Sequence, residues 1–177
     1  MPLPPADWCF HLAAETNAQS DDRGKMFRTN YWGTQLILEA YRKNVVFTST
    51  CAINYPGTPY AESKLFAEKR VHKFGGRVVR LCNIFGPGGH GVIDRFVHAP
   101  VLHIRGDGSQ IRTYAHVNRA VEALLRQVEE PPGSLHILPG ADLTVREIAE
   151  TFFPYKHLHR AQRLSTDIQN GVQVYSL

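Results

Sequence analysis

The sequence predicts an α/β fold with a parallel sheet, and three observations carry that expectation. Short apolar runs recur at residues 8–14, 45–49 and 77–81, with the length and β-branched content of buried strands. Segments of helical period, one ending near Tyr41 and one over 60–74, fall between them. Parallel neighbours need a crossover connection, and a helix is its usual form.

Each element has a local reason. Trp8-Cys9-Phe10-His11-Leu12-Ala13-Ala14 ends in small residues, as a strand does where its C-terminal end meets a ligand. Thr29 or Asn30 can cap a helix in which Leu36, Ile37, Ala40 and Tyr41 recur on one face. Leu65, Ala67, Val71 and Phe74 do the same over 60–74, and Gly75-Gly76 stops that helix. Beyond the glycine-rich stretch 85–89 the pattern predicts a short strand at 101–104 and a turn at Gly106-Asp107-Gly108. A helix over 117–128 ended by Pro131-Pro132-Gly133 follows, then a brief strand at 135–138. Thr144 with Glu147 three residues on gives the capping-box pattern of a last helix.

Composition narrows the class. The 177 residues are 43% hydrophobic and 20% charged, enough for one substantial core with a small appended lobe. A net charge of +4 and a pI near 9.1 suit an anionic ligand such as a nucleotide diphosphate. The basic residues form no stripe with interleaved aromatics, so nucleic acid is not an expected partner. Cys9, Cys51 and Cys82 are odd in number and far apart, which reads as reduced thiols in a cytoplasmic protein. No apolar stretch approaches the roughly 20 residues of a membrane span, and the first residues lack the pattern of an export signal.

Tyr60 and Lys64 stand four residues apart at the start of a predicted helix, on one face. A lysine there can lower the phenol's pKa and make it a general acid/base near neutral pH. Thr48-Ser49-Thr50 ends the preceding strand, so a hydroxyl can hydrogen-bond a substrate oxygen while Tyr60 moves the proton. Convergence requires a tight turn at Tyr55, Pro56 and Gly57. His157 and His159 have no carboxylate or cysteine at ligand spacing, so no metal is expected and the segment reads as a solvated basic tail. Cys51, beside Thr50, reads as a small core residue.

Several motifs stand in one order. They are Phe10-His11-Leu12-Ala13-Ala14-Glu15, Asn30-x-x-Gly33-Thr34, Phe47-Thr48-Ser49-Thr50, Pro59-Tyr60-Ala61-Glu62-Ser63-Lys64 and Arg80-x-x-Asn83-x-x-Gly86-Pro87-Gly88. The segment from Gly106-Asp107-Gly108 through Arg112-x-Tyr114-x-His116-Val117 completes the series. In this series, over roughly residues 8–150, the chain resembles NAD-dependent nucleotide-sugar epimerases/dehydratases of the extended short-chain dehydrogenase/reductase family. The resemblance implies Tyr60 as catalytic base, Lys64 as its support and as the residue that orients the nicotinamide ribose, and Thr50, with Ser49 as the alternative, as hydroxyl partner. It implies Ala13 and Ala14 against NAD or NADP, Asn83 at the diphosphate of a nucleotide sugar, and Arg112 on a phosphate through its bidentate fork. On the residues alone, Asn83 equally caps the glycine-rich loop and Arg112 equally sits on a strand surface. The implied chemistry is hydride transfer from a sugar carbon to NAD, followed by epimerisation, dehydration or decarboxylation.

The sequence also departs from that family. No Gly-x-x-Gly-x-x-Gly fingerprint can be assigned, and the stretch at 85–91 follows the Tyr-x-x-x-Lys helix, in the wrong order to serve. Asn118 stands where an aspartate is usual. The expected architecture is therefore a truncated Rossmann-like parallel sheet over 1–85 with a small C-terminal substrate-binding lobe over 86–177, some of whose segments return to the core. The strand at 8–13 would then be an exposed edge, covered by a second copy of the chain or a partner chain. The alternative to an enzyme is a non-catalytic relative that binds a nucleotide sugar or a protein.

Overall fold

A run of six residues, Val45–Thr50 (β2), is the most deeply buried strand among the described residues. Continuous burial is what a strand covered on both faces requires. In the computed structural model, which describes residues 3–17, 20–55, 57–161, 168–169 and 172–173, β2 lies between Cys9–His11 (β1) and Arg77–Leu81 (β3). Leu135–Ile137 (β7) completes a four-stranded sheet of order β1-β2-β3-β7 whose neighbours are all parallel. The predicted α/β class and parallel sheet are what the chain adopts.

The connection from β1 to β2 starts earlier than the sequence suggests. Asp22 caps helix Arg23–Met26 (α1), accepting the Lys25 N–H at 2.8 Å; a π-helical turn over Phe27–Trp32 follows and runs into Gly33–Tyr41 (α2). Neither Thr29 nor Asn30 is the cap. The buried Asn30 amide is used elsewhere: Oδ1 accepts the Glu15 N–H at 2.8 Å, while Nδ2 donates to the Glu15 carbonyl at 3.0 Å and to Ser63 Oγ at 2.9 Å.

Helix Pro59–Lys73 (α3) begins where a helix should. Thr58 Oγ1 accepts the Ala61 N–H at 3.1 Å and Pro59, which has no N–H to satisfy, is the first residue. Its end follows from two glycines. Gly75 takes a left-handed φ of 75°, and the Gly76 N–H returns to the Val71 carbonyl at 2.9 Å. Leu38 of α2 and Ala67 and Val71 of α3 pack with Val45, Phe47 and Val78 into one core. Pro56, in the expected tight turn, lies outside the described residues; around it, Cys51–Asn54 form a 3-10 turn and Thr58 is already the cap of α3.

The chain forms two compact units, 1–82 with 118–139 and 83–117 with 140–177. Helix Val117–Arg126 (α5) is where the chain returns to the first unit. Among the described residues the second unit has three small sheets. Asn83–Phe85 (β4) pairs in parallel with Ile111–His116 (β6), which pairs antiparallel with Ala141–Thr144 (β8). Val101–Arg105 (β5) pairs in parallel with His157–Ala161 (β9). His157 and His159 therefore belong to a strand and not to an unpaired tail; pairing with a partner more than 50 residues away leaves no local trace. Residues 168–169 and 172–173 form two further short strands, β10 and β11.

Helices Val92–His98 (α4) and Val145–Phe152 (α6) cover these sheets through Phe96, Leu102, Ile104, Tyr114, Ile148 and Phe153. Thr144 and Glu147 form the expected capping box. Lys156 closes the C-terminal end of α4, donating to the carbonyls of Phe96, Val97 and Ala99 at 2.6, 2.8 and 2.9 Å.

The meeting of α3 and β2 at Gly76 yields a test. A Cβ there would lie 2.7 Å from Val71 Cγ1 and 3.2 Å from the Val45 carbonyl. Gly76→Ala is expected to cost about 1–3 kcal/mol, as overpacking does. Gly24→Ala, in helix α1 with no neighbour nearer than 3.4 Å, is expected to be neutral or to stabilise by up to about 1 kcal/mol. Thermal denaturation of both variants measures the contrast.

Candidate active site

Parallel strands leave a crevice at their C-terminal ends, and in the first unit the ends of β1 and β2 meet the first turn of α3 there. Lys64 is 3% exposed, and its Nζ lies 4.2 Å from the centroid of the Phe47 ring. Burial without a paired carboxylate lowers its pKa to about 8; the charge of Glu68, one turn further along α3, works in the opposite direction. Glu68 is itself buried and held by Arg80, whose Nε lies 3.2 and 3.1 Å from the two carboxylate oxygens and whose Nη2 lies 2.5 Å from one of them.

Tyr60 is half-buried on the same face of α3. Burial pushes its phenol above the ordinary value, with the Thr50 side chain as the polar neighbour pulling the other way. The lowering that the Tyr-x-x-x-Lys spacing predicts is therefore overturned, because removing the phenolate from water outweighs what its surroundings return. Thr50 Oγ1 accepts the Ala52 N–H at 3.2 Å, which leaves its own proton free to be donated towards Tyr60. The Ser49 hydroxyl is buried and has no hydrogen-bond partner.

His11, at the end of β1, is a member of this cluster that the motif reading quotes without a role. Its Nε2 lies 2.9 Å from Thr34 Oγ1, and its ring is 5.6 Å from that of Phe47. Burial first, and the Lys64 charge second, lower its pKa to about 4, so it is a neutral imidazole near pH 7. Its only sequence signal is its place at the end of an apolar run. Ala13, exposed, and Ala14, half-buried, follow β1 on the segment that Asn30 grips at Glu15.

Asn83 and Arg112 belong to the second unit, where both line a cavity of about 1240 Å³. Asn83 Nδ2 donates to the Thr113 carbonyl at 3.0 Å, tying β4 to β6. Arg112 is exposed on β6, with Nη1 on the carbonyl of Ile111 at 2.8 Å. Arg95 and Arg105 line the same cavity, so three arginines border it, of which the sequence pattern points to one. The glycine-rich loop folds over Asp94, whose Oδ1 and Oδ2 accept the N–H groups of Gly86 and Gly91, each at 3.1 Å. A Cβ at Gly89 would fall 2.4 Å from that carboxylate, which explains why the loop needs glycine. The described residues hold no group of three or more metal-ligating side chains, and no described helix is long and apolar enough to cross a membrane.

The chain is similar to several known proteins. A UDP-N-acetyl-alpha-D-glucosaminuronate decarboxylase of Bacillus cytotoxicus is 28% identical over 191 residues, covering 85% of this chain and 60% of its own length. The chain thus spans about three-fifths of that curated relative. Among solved structures, Pal from Bacillus thuringiensis superposes with a TM-score of 0.80 at 25% identity, over 93% of this chain and 65% of that one. A dTDP-glucose 4,6-dehydratase from Streptomyces venezuelae, solved with NAD bound, does so with a TM-score of 0.76 at 21% identity, over 88% and 61%. The profile of the NAD dependent epimerase/dehydratase family matches residues 4–137, and the chain belongs to that family.

Proposed function

We propose that the chain takes part in NAD(P)-dependent hydride and proton transfer at a carbon of a nucleotide-diphosphate sugar. The observation that carries this reading is the meeting of Tyr60, Thr50, Ser49 and a buried Lys64 at the strand ends of one unit. The donor set fits the ribose end of a dinucleotide. A buried ammonium seated on a ring face and a buried unpaired hydroxyl both require polar partners, and ribose hydroxyls supply them. Lys64 and Tyr60 would hold that end, with Ala13 and Ala14 alongside. When bound, the nicotinamide supplies a hydride acceptor.

The roles of the side chains follow from chemistry. Tyr60 takes the proton from a sugar hydroxyl only as its phenolate, a form that burial disfavours and that the Lys64 charge must restore; once protonated, the phenol can return that proton later. Thr50 donates to the same oxygen and steadies developing negative charge. The Lys64 ammonium, in a low-dielectric setting, favours the phenolate as it forms. In the second unit, Arg112 with Arg95 and Arg105 offers the positive charge that a diphosphate needs, with Asn83 as a neutral donor. Three guanidinium groups also suit a sugar that carries a carboxylate, and the Bacillus cytotoxicus relative is named for the decarboxylation of a uronate. A second reading, a non-catalytic nucleotide-sugar binder, is favoured by the upward displacement of the Tyr60 pKa.

Self-association is part of the proposal. Among the described residues β1 has a neighbour on one side only, and Trp32, Leu36 and Phe66 leave apolar surface exposed on the same unit. Light scattering is expected to give a dimer or larger assembly; a monodisperse monomer at working concentration contradicts this.

Two variants test the chemistry. Tyr60→Phe removes only the transferable proton, so turnover should fall by about 10²–10⁴-fold while calorimetric binding of NAD and of UDP-glucuronate stays near the wild-type value. Equal turnover would exclude Tyr60 as base. Arg112→Ala should weaken nucleotide-sugar binding by about 10-fold or more and leave NAD binding unchanged. If no nucleotide sugar binds the unmodified protein, both readings fail.

A further inference from the structure

We propose that Cys51 and Cys82 form a reversible thiol/disulfide pair, a modification site at the strand ends next to Thr50. The register of the sheet carries the inference. Ser49 pairs with Arg80 and Thr50 with Leu81, so the next residue on each strand is a cysteine. Thr50 keeps an extended backbone (φ −140°, ψ 147°) into Cys51. Alternation along a strand places Cys51 on the face of Ser49, and Cys82 on the face of Arg80.

The charge of Arg80 reaches the Cys51 thiol across the strand pair, as a shared face would allow. Adjacent strands run about 4.8 Å apart, within the roughly 4.4–6.8 Å between Cα atoms that a disulfide spans. Neither cysteine belongs to the ladder: Cys51 opens the 3-10 turn, and Cys82 is the single residue between β3 and β4. Both residues are half-buried and outside any disulfide. Burial holds the Cys51 thiol above its ordinary value, and Arg80 opposes that.

Cys9 is excluded as a partner by the same register. It pairs with Val45, six residues back along β2 from Cys51, about 20 Å at strand rise.

The oxidant is a low-molecular-weight disulfide. The Cys51 thiolate attacks one of its sulfurs and expels a thiolate, leaving a mixed disulfide on Cys51. The Cys82 thiolate then attacks Cys51 Sγ, forms the internal bond and expels the second small thiolate. The two cysteines lose two electrons and two protons, and the small disulfide becomes two thiols. The bond fixes the turn that follows Thr50 and so holds the Thr50 hydroxyl in its place beside Tyr60. This chemistry does not depend on the reaction proposed for Tyr60.

The test is a peptide map of the wild-type chain equilibrated in glutathione buffers of increasing oxidised fraction, with remaining thiols alkylated. A Cys51–Cys82 linked peptide that grows with oxidised glutathione, reverts with dithiothreitol and leaves Cys9 alkylated is the expected result. Separate glutathione adducts on Cys51 and Cys82, links to Cys9, or two thiols that stay alkylatable throughout would overturn the proposal. Cys82→Ser should leave Cys51 carrying glutathione; if that variant does not fold, the wild-type map alone decides.

Discussion

An ammonium buried against an aromatic ring is the constraint on which the first unit turns. Lys64 comes from the second turn of α3 and Phe47 from the middle of β2, so their contact sets helix and strand in one relation. The arrangement places a cation in low dielectric, which is costly unless something else gains from it. What gains is the site. The charge adds to the burial that keeps His11 neutral, stands one helical turn from Tyr60, and is moderated by Glu68, whose own charge is held by Arg80. A methionine would satisfy the core equally well and would do none of this.

The second organising contact is the Asn30 amide, which joins three separate parts of the chain. Through Glu15 it fixes the segment after β1, and through Ser63 it fixes the first turn of α3, where Ser63 Oγ also donates to the Tyr60 carbonyl at 2.9 Å. The π-helical turn over Phe27–Trp32 contains Asn30, and a widened turn is a common device at functional positions. Ala13, Ala14 and Tyr60 are thus positioned from one buried side chain that belongs to none of their elements.

Local chemistry was legible in the sequence to the extent that it is local. The helix expected over 60–74 is Pro59–Lys73, the strand at 77–81 is Arg77–Leu81, and the Thr144–Glu147 box is formed. Those features depend on hydroxyl caps, glycine stops and apolar periods that neighbouring residues display. Strand β9 and the clustering of Arg95 and Arg105 with Arg112 depend on contacts between residues far apart in sequence. The early start of α1 is a different failure: Asn30 has the right chemistry for a cap and is drawn into a better tertiary use. The direction of the Tyr60 pKa failed for a quantitative reason, since spacing reveals a nearby cation but not how much water the phenol loses.

The central proposal is that Lys64 is a buried cation whose polar partners are supplied when a dinucleotide binds. Its side-chain carbon resonances, followed by NMR against pH with and without NAD, test it directly. The account predicts a midpoint near 8 for the protein alone and a higher one with NAD, because acceptors brought to the ammonium favour its charged form. A midpoint at the ordinary lysine value of 10.5, or one that NAD leaves unmoved, would contradict it.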